Sequence, residues 1–317
     1  MRRSLFTTLD THPTVEIDLV QRYEAYLRHV VLAEQLGFDG VWVGEHHGSN
    51  IGRIPNPAVL LAAAAARTKT IRLGSAVSVL PLRSAVVIAE DYAMVDDISG
   101  GRLHMGVGVG SKRSEFEHLG VDFDRRRELF DEHLEQLRRH WGGVVRAPIY
   151  IATLSEEGAY RAGQAGHSIL TLVTPAVQDL GEVQQRLRAH ERGLREGGHD
   201  RGADAVVTLF ACAAADEQEA LQRAGRSLGN FIELSSGVRP EDPVALCEAM
   251  CRRGTGLFAA RDQMGARVEA LGRLGFENLC FFVDFGTLAA DLVAETIRSL
   301  AATAQDAPVV SMRERLG

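Results

Sequence analysis

The chain has 317 residues, enough for one large α/β domain or two smaller ones, and carries a formal net charge of -7. Its basic residues do not cluster, which argues against nucleic-acid binding, and no apolar run approaches membrane-spanning length. The N-terminal MRRSLFTTLD lacks a signal-peptide core, and Cys212, Cys247, Cys251 and Cys280 are too dispersed for a ligand set, so a soluble, reducing, cytoplasmic setting is expected.

Residues 3–9 predict a short first strand. From Val15 to Leu36 the spacing becomes helical, with Leu19, Tyr23, Leu27 and Val30 on one side and Gly37 as the stop. The stretch GFDGVWVGEHH follows. Val41, Trp42 and Val43, bracketed by Gly40 and Gly44, read as a fully buried parallel strand. Glu45, His46 and His47 then arrive together at its C-terminal end, where ligands and chemistry gather in βα architectures. Residues 45–56 form a polar loop, and Pro57 opens an alanine-rich helix to Arg67.

The same grammar repeats. A strand from Ile71 to Val77 leads through Pro81 to a helix from Ser84 to Ile98, with Ile88, Tyr92 and Val95 on one stripe. Arg102 to Gly108 is a fourth strand, and GVGVGSKRSEFEHLGVD is its loop. Asp124 is placed to cap a helix carrying Phe130, Leu134, Leu137 and Trp141. PIYIAT and HSILTLV are the fifth and sixth strands, separated by a short helix in SEEGAYRAGQAG. After a helix from Pro175 to Arg195, Ala205 to Ala213 reads as a seventh strand and Asp216 to Ser235 as its helix. Residues 236–260 break the rhythm as a turn-rich insert. A helix through Leu271, a strand from Leu279 to Asp284 and a helix over 288–301 complete the pattern, leaving a tail from 303.

Eight strands alternating with helices favour an α/β fold of the (β/α)8 TIM-barrel class, with an insertion between the seventh and eighth units and a single domain over 1–302. The rival is an open nucleotide-binding sheet, which requires a glycine loop directly after its first strand. GVGVG at 106–110 lies inside and at the end of strand four instead. Its alternating glycines either leave room for a flat ligand or let helix and sheet pack closely. The insert is expected at the active mouth. No set of carboxylates and histidines is assembled into a metal site; His104 reads as a core residue and His118 as solvent-facing.

LGFDGVWVGEHH, NPAVLLAAAAARTKTIRLGSAVSVLP, AEDYAMVDDISGGR and the stretch from Gly106 to Asp122, in that order, resemble the bacterial luciferase-like flavin-dependent monooxygenases. The resemblance covers nearly the whole chain. It implies a barrel that binds reduced FMN (FMNH2) or, in a sister branch, the deazaflavin F420. The implied activity is oxygenation of a small organic substrate by O2 through a C4a-(hydro)peroxyflavin, with reduced flavin supplied by a separate NAD(P)H:flavin reductase. Hydride transfer from F420 and a non-catalytic flavin-binding barrel are the alternatives.

His46 matches the histidine beside the flavin in that family, with Glu45 and His47 as its neighbours, so these three form the candidate catalytic set. A neutral imidazole can take up or return a proton near pH 7. The bland readings are a cavity-shaping His46, a Glu45 that orients a histidine or backbone group, and a His47 that supports the loop. Ala76 and Val77 match a bond that is often cis under the flavin ring. Ser155 and Gly158 match the helix start that receives the flavin phosphate. The resulting cofactor-binding set is Ala76, Val77, Gly108, Ser155, Glu156 and Gly158. Two departures stand out: Val109 replaces the luciferases' phosphate-binding arginine, with Lys112, Arg113 or a different flavin pose as the alternatives, and Leu154 replaces a glutamate. The helices over 57–67 and 84–98 resemble the family's subunit-pairing elements, which implies a homodimer with Ile88 and Tyr92 in the seam.

Overall fold

The computed structural model describes residues 1–143, 145–199 and 203–302; the tail from 303 lies outside them. The elements in order are β1 (Arg2–Thr7), α1 (Leu19–Gln35), β2 (Gly40–Val43), α2 (Pro57–Arg67), β3 (Arg72–Val79), α3 (Ala85–Ser99) and β4 (Leu103–Gly108). Then come α4 (Arg113–Leu119), α5 (Arg126–Trp141), β5 (Ile149–Ala152), α6 (Glu156–Gln164), β6 (Ser168–Leu172), α7 (Leu180–Glu196) and β7 (Ala205–Ala214). The chain continues through α8 (Glu217–Ser236), α9 (Pro243–Arg253), β8 (Gly256–Ala260), α10 (Met264–Arg273), β9 (Asn278–Asp284) and α11 (Ala290–Ala301).

Strands β1 to β7 and β9 pair side by side in parallel, and β6 pairs with β7 to close them into an eight-stranded barrel. The expected (β/α)8 architecture is therefore present. Helices start where the local chemistry satisfies their free N–H groups. Asp18 caps α1, Asn56 caps α2 ahead of Pro57, and Asp216 caps α8. Asp124 does not cap α5 as expected. Its carboxylate accepts from Arg113 at 2.8 Å instead, and α5 begins without a side-chain cap.

The insert contains a helix around Cys247 and Cys251 and a strand that the sequence pattern does not announce. Asp242 and Pro243 start α9, and the buried run GLFAA forms β8, which pairs with Phe210–Ala214 at the end of β7 outside the closed barrel. No residue of 236–260 lines the cavity at the barrel mouth. The preceding helix takes the role expected of the insert. Phe231 of α8 faces the mouth, Asn230 donates to Thr287 at 2.8 Å, and Lys112 Nζ donates to Leu234 O at 3.4 Å.

The lower barrel is filled. Trp42 points inward against Gly74, where a Cβ would approach its indole to 2.2 Å, so only glycine fits there. Tyr150 meets Trp42 edge-on at 5.1 Å, and His104 Nδ1 lies 3.0 Å from Tyr150 Oη. Asp204 completes this floor, accepting from Arg2 at 2.6 Å and Asn278 at 2.7 Å. His104 is thus half-buried in this floor rather than in the fully buried core, and burial pulls its pKa down to about 4. An imidazole depressed in the folded state is neutral there while the unfolded chain's histidine, with pKa about 6.5, takes up a proton. Stability is therefore complete above pH about 6.5 and declines as the pH falls toward about 4, by up to ~1.4 kcal/mol per pH unit for this group. Urea unfolding at pH 7 and pH 5 should show that decline, and His104→Gln should reduce it. An equal decline in both proteins would contradict the assignment.

Candidate active site at the barrel mouth

A cavity of about 360 Å³ opens at the C-terminal ends of the strands. Gly44, Glu45 and His46 follow β2, Ala76 and Val77 lie on β3, Gly108 ends β4, and Phe6, Thr208 and Phe282 come from β1, β7 and β9. In the strand order β7 and β9 stand across the barrel from β3 and β4. The Ala76–Val77 peptide bond is cis. Gly108 lies flush against it: a Cβ there would come within 2.5 Å of Val77 Cγ2. Of the two sequence readings of the alternating glycines, room beside a cavity fits Gly108, which lines the mouth, whereas Gly106 packs against Ser75 O of β3 and Leu170 of β6 inside the barrel and not against a helix.

The two histidines at the end of β2 have separate carboxylate partners. His46 lines the cavity, and its Nδ1 lies 2.7 Å from Oε1 of Glu115, which is 3% exposed. His47 turns inward, away from the cavity, with Nε2 2.8 Å from Glu45 Oε1. The other Glu45 oxygen accepts from Ser78 Oγ at 3.1 Å and Val79 N at 3.2 Å. Glu45 thereby ties the β2 loop to the end of β3. Asp10 does the same for three other segments. It accepts from Thr8 Oγ1, Gly52 N and Gly286 N, each at 2.8 Å, while burial pushes its carboxyl up from the usual range.

A second cavity of about 600 Å³ adjoins the first, sharing Val109, Gly110, Ser111, Ala152 and Thr153 with it. Ser155 caps α6 there by accepting from Gly158 N at 3.1 Å, and both residues line the groove. Glu156 is exposed and lines neither cavity; its neighbour Glu157 lines this one. Arg126, Arg127, Arg138 and Arg161 also face the groove. Arg161 is paired with Glu157, and Arg126 lies over the Phe123 ring, but neither Arg127 nor Arg138 makes an ion pair among the described residues. The expected substitutes for the missing arginine sit elsewhere. Lys112 reaches Leu234, and Arg113 is exposed and bound to Asp124. Among the described residues no group of three or more His, Cys, Asp or Glu side chains converges to hold a metal.

Residues 1–270 match the family model described as luciferase-like monooxygenase. The chain belongs to that family. Among relatives, it is 31% identical over 231 residues to an uncharacterised Sinorhizobium fredii protein, a match spanning 65% of this chain and 63% of that one. It is 24% identical over 330 residues to the oxygenase component of a flavin-dependent trigonelline monooxygenase from Acinetobacter baylyi, covering 90% of each. The crystal structure of the monooxygenase RslO1 from Streptomyces bottropensis superposes with a TM-score of 0.85 at 25% identity, covering 96% of this chain and 99% of that one.

The residues present fit a flavin of the kind this family uses. The mouth cavity lies between the Ala76–Val77 bond, Gly108 and the Phe6–Phe282 side, and it adjoins a groove with a helix N-terminus and the guanidinium groups of Arg127 and Arg138, which make no ion pair among the described residues and suit a phosphate. The sequence reading missed Glu115, Asp10 and the arginines of α5. Only the arginines left a local signal, in the run Arg125-Arg126-Arg127 at the helix start. The hydrogen bonds of Glu45 also yield an expected outcome. Glu45→Ala leaves the buried Val79 N–H without an acceptor and takes one from the Ser78 hydroxyl, which should cost about 2 kcal/mol of unfolding free energy. Chemical denaturation of the variant checks this; wild-type stability would show that these bonds contribute little.

Proposed function

We propose that this protein is an FMNH2-dependent monooxygenase that inserts one oxygen atom of O2 into a small organic substrate, the other leaving as water. The observation that carries this reading is the continuity of two cavities of different chemistry: an apolar barrel mouth with one imidazole at its wall, and an arginine-lined groove at a helix start. When bound, the reduced flavin supplies the electrons and the oxygen activation. The protein's residues do the rest. Ser155, the free N–H groups of α6, Arg127 and Arg138 hold the phosphate. Gly108 and the Ala76–Val77 bond leave a flat floor for the ring. Phe6, Phe231 and Phe282 close the opposite side with an apolar wall, which keeps water from the reacting atoms. His46, which lines the cavity, would take up or return a proton at Nε2 for a substrate bound there. His47 and Glu45 support the loop that carries it.

A separate reductase supplies the reduced flavin in this reading, in keeping with the two-component nature that the name of the Acinetobacter baylyi relative records. A reducing cytoplasm suits both that supply and the four free thiols. Replacing His46 with alanine should preserve folding and flavin binding while lowering ¹⁸O incorporation from ¹⁸O₂ by roughly 10²- to 10⁴-fold. Peroxide release should rise in compensation. Wild-type coupling in a stable His46→Ala protein would remove the histidine from the mechanism. Oxidation of F420H2 by the wild type in the absence of O2, without ¹⁸O incorporation when FMNH2 is supplied, would replace the monooxygenase reading with hydride transfer.

Homodimerisation belongs to the same reading, with a changed seam. Ile88 and Tyr92, the residues expected there, are fully buried against the chain's own barrel. The exposed large apolar side chains on these helices are instead Val59 on α2 and Val86, Val87, Met94 and Ile98 on α3, the last three at helical spacing along one face. Sedimentation equilibrium at low micromolar concentration should give a dimer, and Met94→Glu with Ile98→Glu should give a monomer. A monomeric wild type would overturn the dimer.

A further inference from the structure

We infer that Glu115 is the positioning residue of the site, fixing which nitrogen of His46 carries the hydrogen; the inference rests on His46 being the proton carrier. An ionised carboxylate has only acceptors, so the 2.7 Å contact from Glu115 Oε1 requires the hydrogen of a neutral His46 to sit on Nδ1. Nε2 then carries the free lone pair and makes no hydrogen bond to a described residue, on a side chain that lines the cavity. That is the tautomer able to accept a proton from a bound substrate.

The surroundings leave Glu115 as the group that sets this choice. Asp10 lies close enough to His46 to interact electrostatically, but its oxygens are taken by Thr8, Gly52 and Gly286. Glu45 is taken by His47, Ser78 and Val79. Lys112, the charged neighbour at the start of α4, has no acceptor atom to offer. Glu115 itself is held firmly. The next residue, Phe116, is fully buried in a cluster with Val79 and Leu82, which pins α4 to the end of β3. The same Oε1 receives the backbone N–H of His47 at 3.5 Å. On the far side of the imidazole, Gly52 is so close that a Cβ would lie 2.7 Å from His46 Cδ2. The ring is wedged between a glycine and a carboxylate, with one nitrogen committed and the other open.

The test reads the tautomer directly, by ¹⁵N NMR of the histidine side chains in flavin-free protein at pH 8, with His46 assigned by the signal lost in His46→Asn. Wild type is expected to show His46 as the Nδ1–H tautomer. In Glu115→Gln the amide can either accept from Nδ1–H or donate to a bare Nδ1, so the tautomers should become mixed. In the same variant kcat for oxygenation should fall roughly 10²-fold, the lower end of what a positioned acid–base group supplies, with KM nearly unchanged. Glu115→Asp, which restores the charge, should recover the Nδ1–H form and most of the rate. An Nε2–H tautomer in wild type overturns the inference without reference to any variant. So does a Glu115→Gln protein whose His46 stays Nδ1–H, whether its rate is unchanged or falls with its melting temperature; Glu115 would then be a loop anchor only. The Nδ1–H tautomer in a wild type that incorporates no oxygen supports the positioning by Glu115 and overturns the monooxygenase reading alone.

Discussion

Everything at the site depends on how the inside of the closed barrel is divided. Eight parallel strands leave an interior that must be filled, and here one large side chain fills its lower half. Trp42 occupies space that glycine at position 74 leaves free, and Tyr150, His104 and Asp204 finish the floor. Two residues further on, just past the end of the strand, Gly44 lines the cavity. One strand therefore supplies the plug and leads directly into the rim of the cavity. Polar groups in the floor are bonded to one another, which suits a structural base; those at the rim are bonded to loops.

The rim is assembled by carboxylates. Asp10, Glu45 and Glu115 are all nearly fully buried, and each joins chain segments distant in sequence. Asp10 links the turns after β1, β2 and β9. Glu45 links β2 to β3, and Glu115 links β2 to α4. A buried carboxylate is costly unless its oxygens are satisfied, so the N–H and O–H groups that satisfy these three define where the loops can lie. His46 and His47 owe their opposite orientations to this arrangement. Adjacent in sequence, they differ in setting: one faces Glu115 beside the cavity and the other faces Glu45 away from it.

Much of this was legible in the chain. The short buried strand ending in Glu45-His46-His47, the alternation of strands and helices, and the helix start at Ser155 all follow from local pattern, and the structure contains each of them. What was not legible depended on packing between distant segments. Residues 113–119 read as loop with a charged helical turn around His118, because seven residues make too short a pattern to stand out as a helix, yet α4 carries Glu115. Ile88 and Tyr92 formed a clear stripe, but an apolar stripe faces its own barrel before it faces a partner. The insert seemed placed for the mouth because it lies between the last two barrel units. Its GLFAA run instead found an open edge on the extended end of β7, leaving α8 to cover the cavity.

The central claim is that the mouth and the arginine-lined groove together receive one reduced flavin. A crystal structure of the protein with bound FMN tests it most directly. The account predicts the isoalloxazine over the Ala76–Val77 bond beside Gly108, its phosphate at the start of α6 within reach of Arg127 or Arg138, and its reactive edge toward His46. Flavin bound with its ring outside the barrel mouth, or with its phosphate away from Ser155, would contradict it.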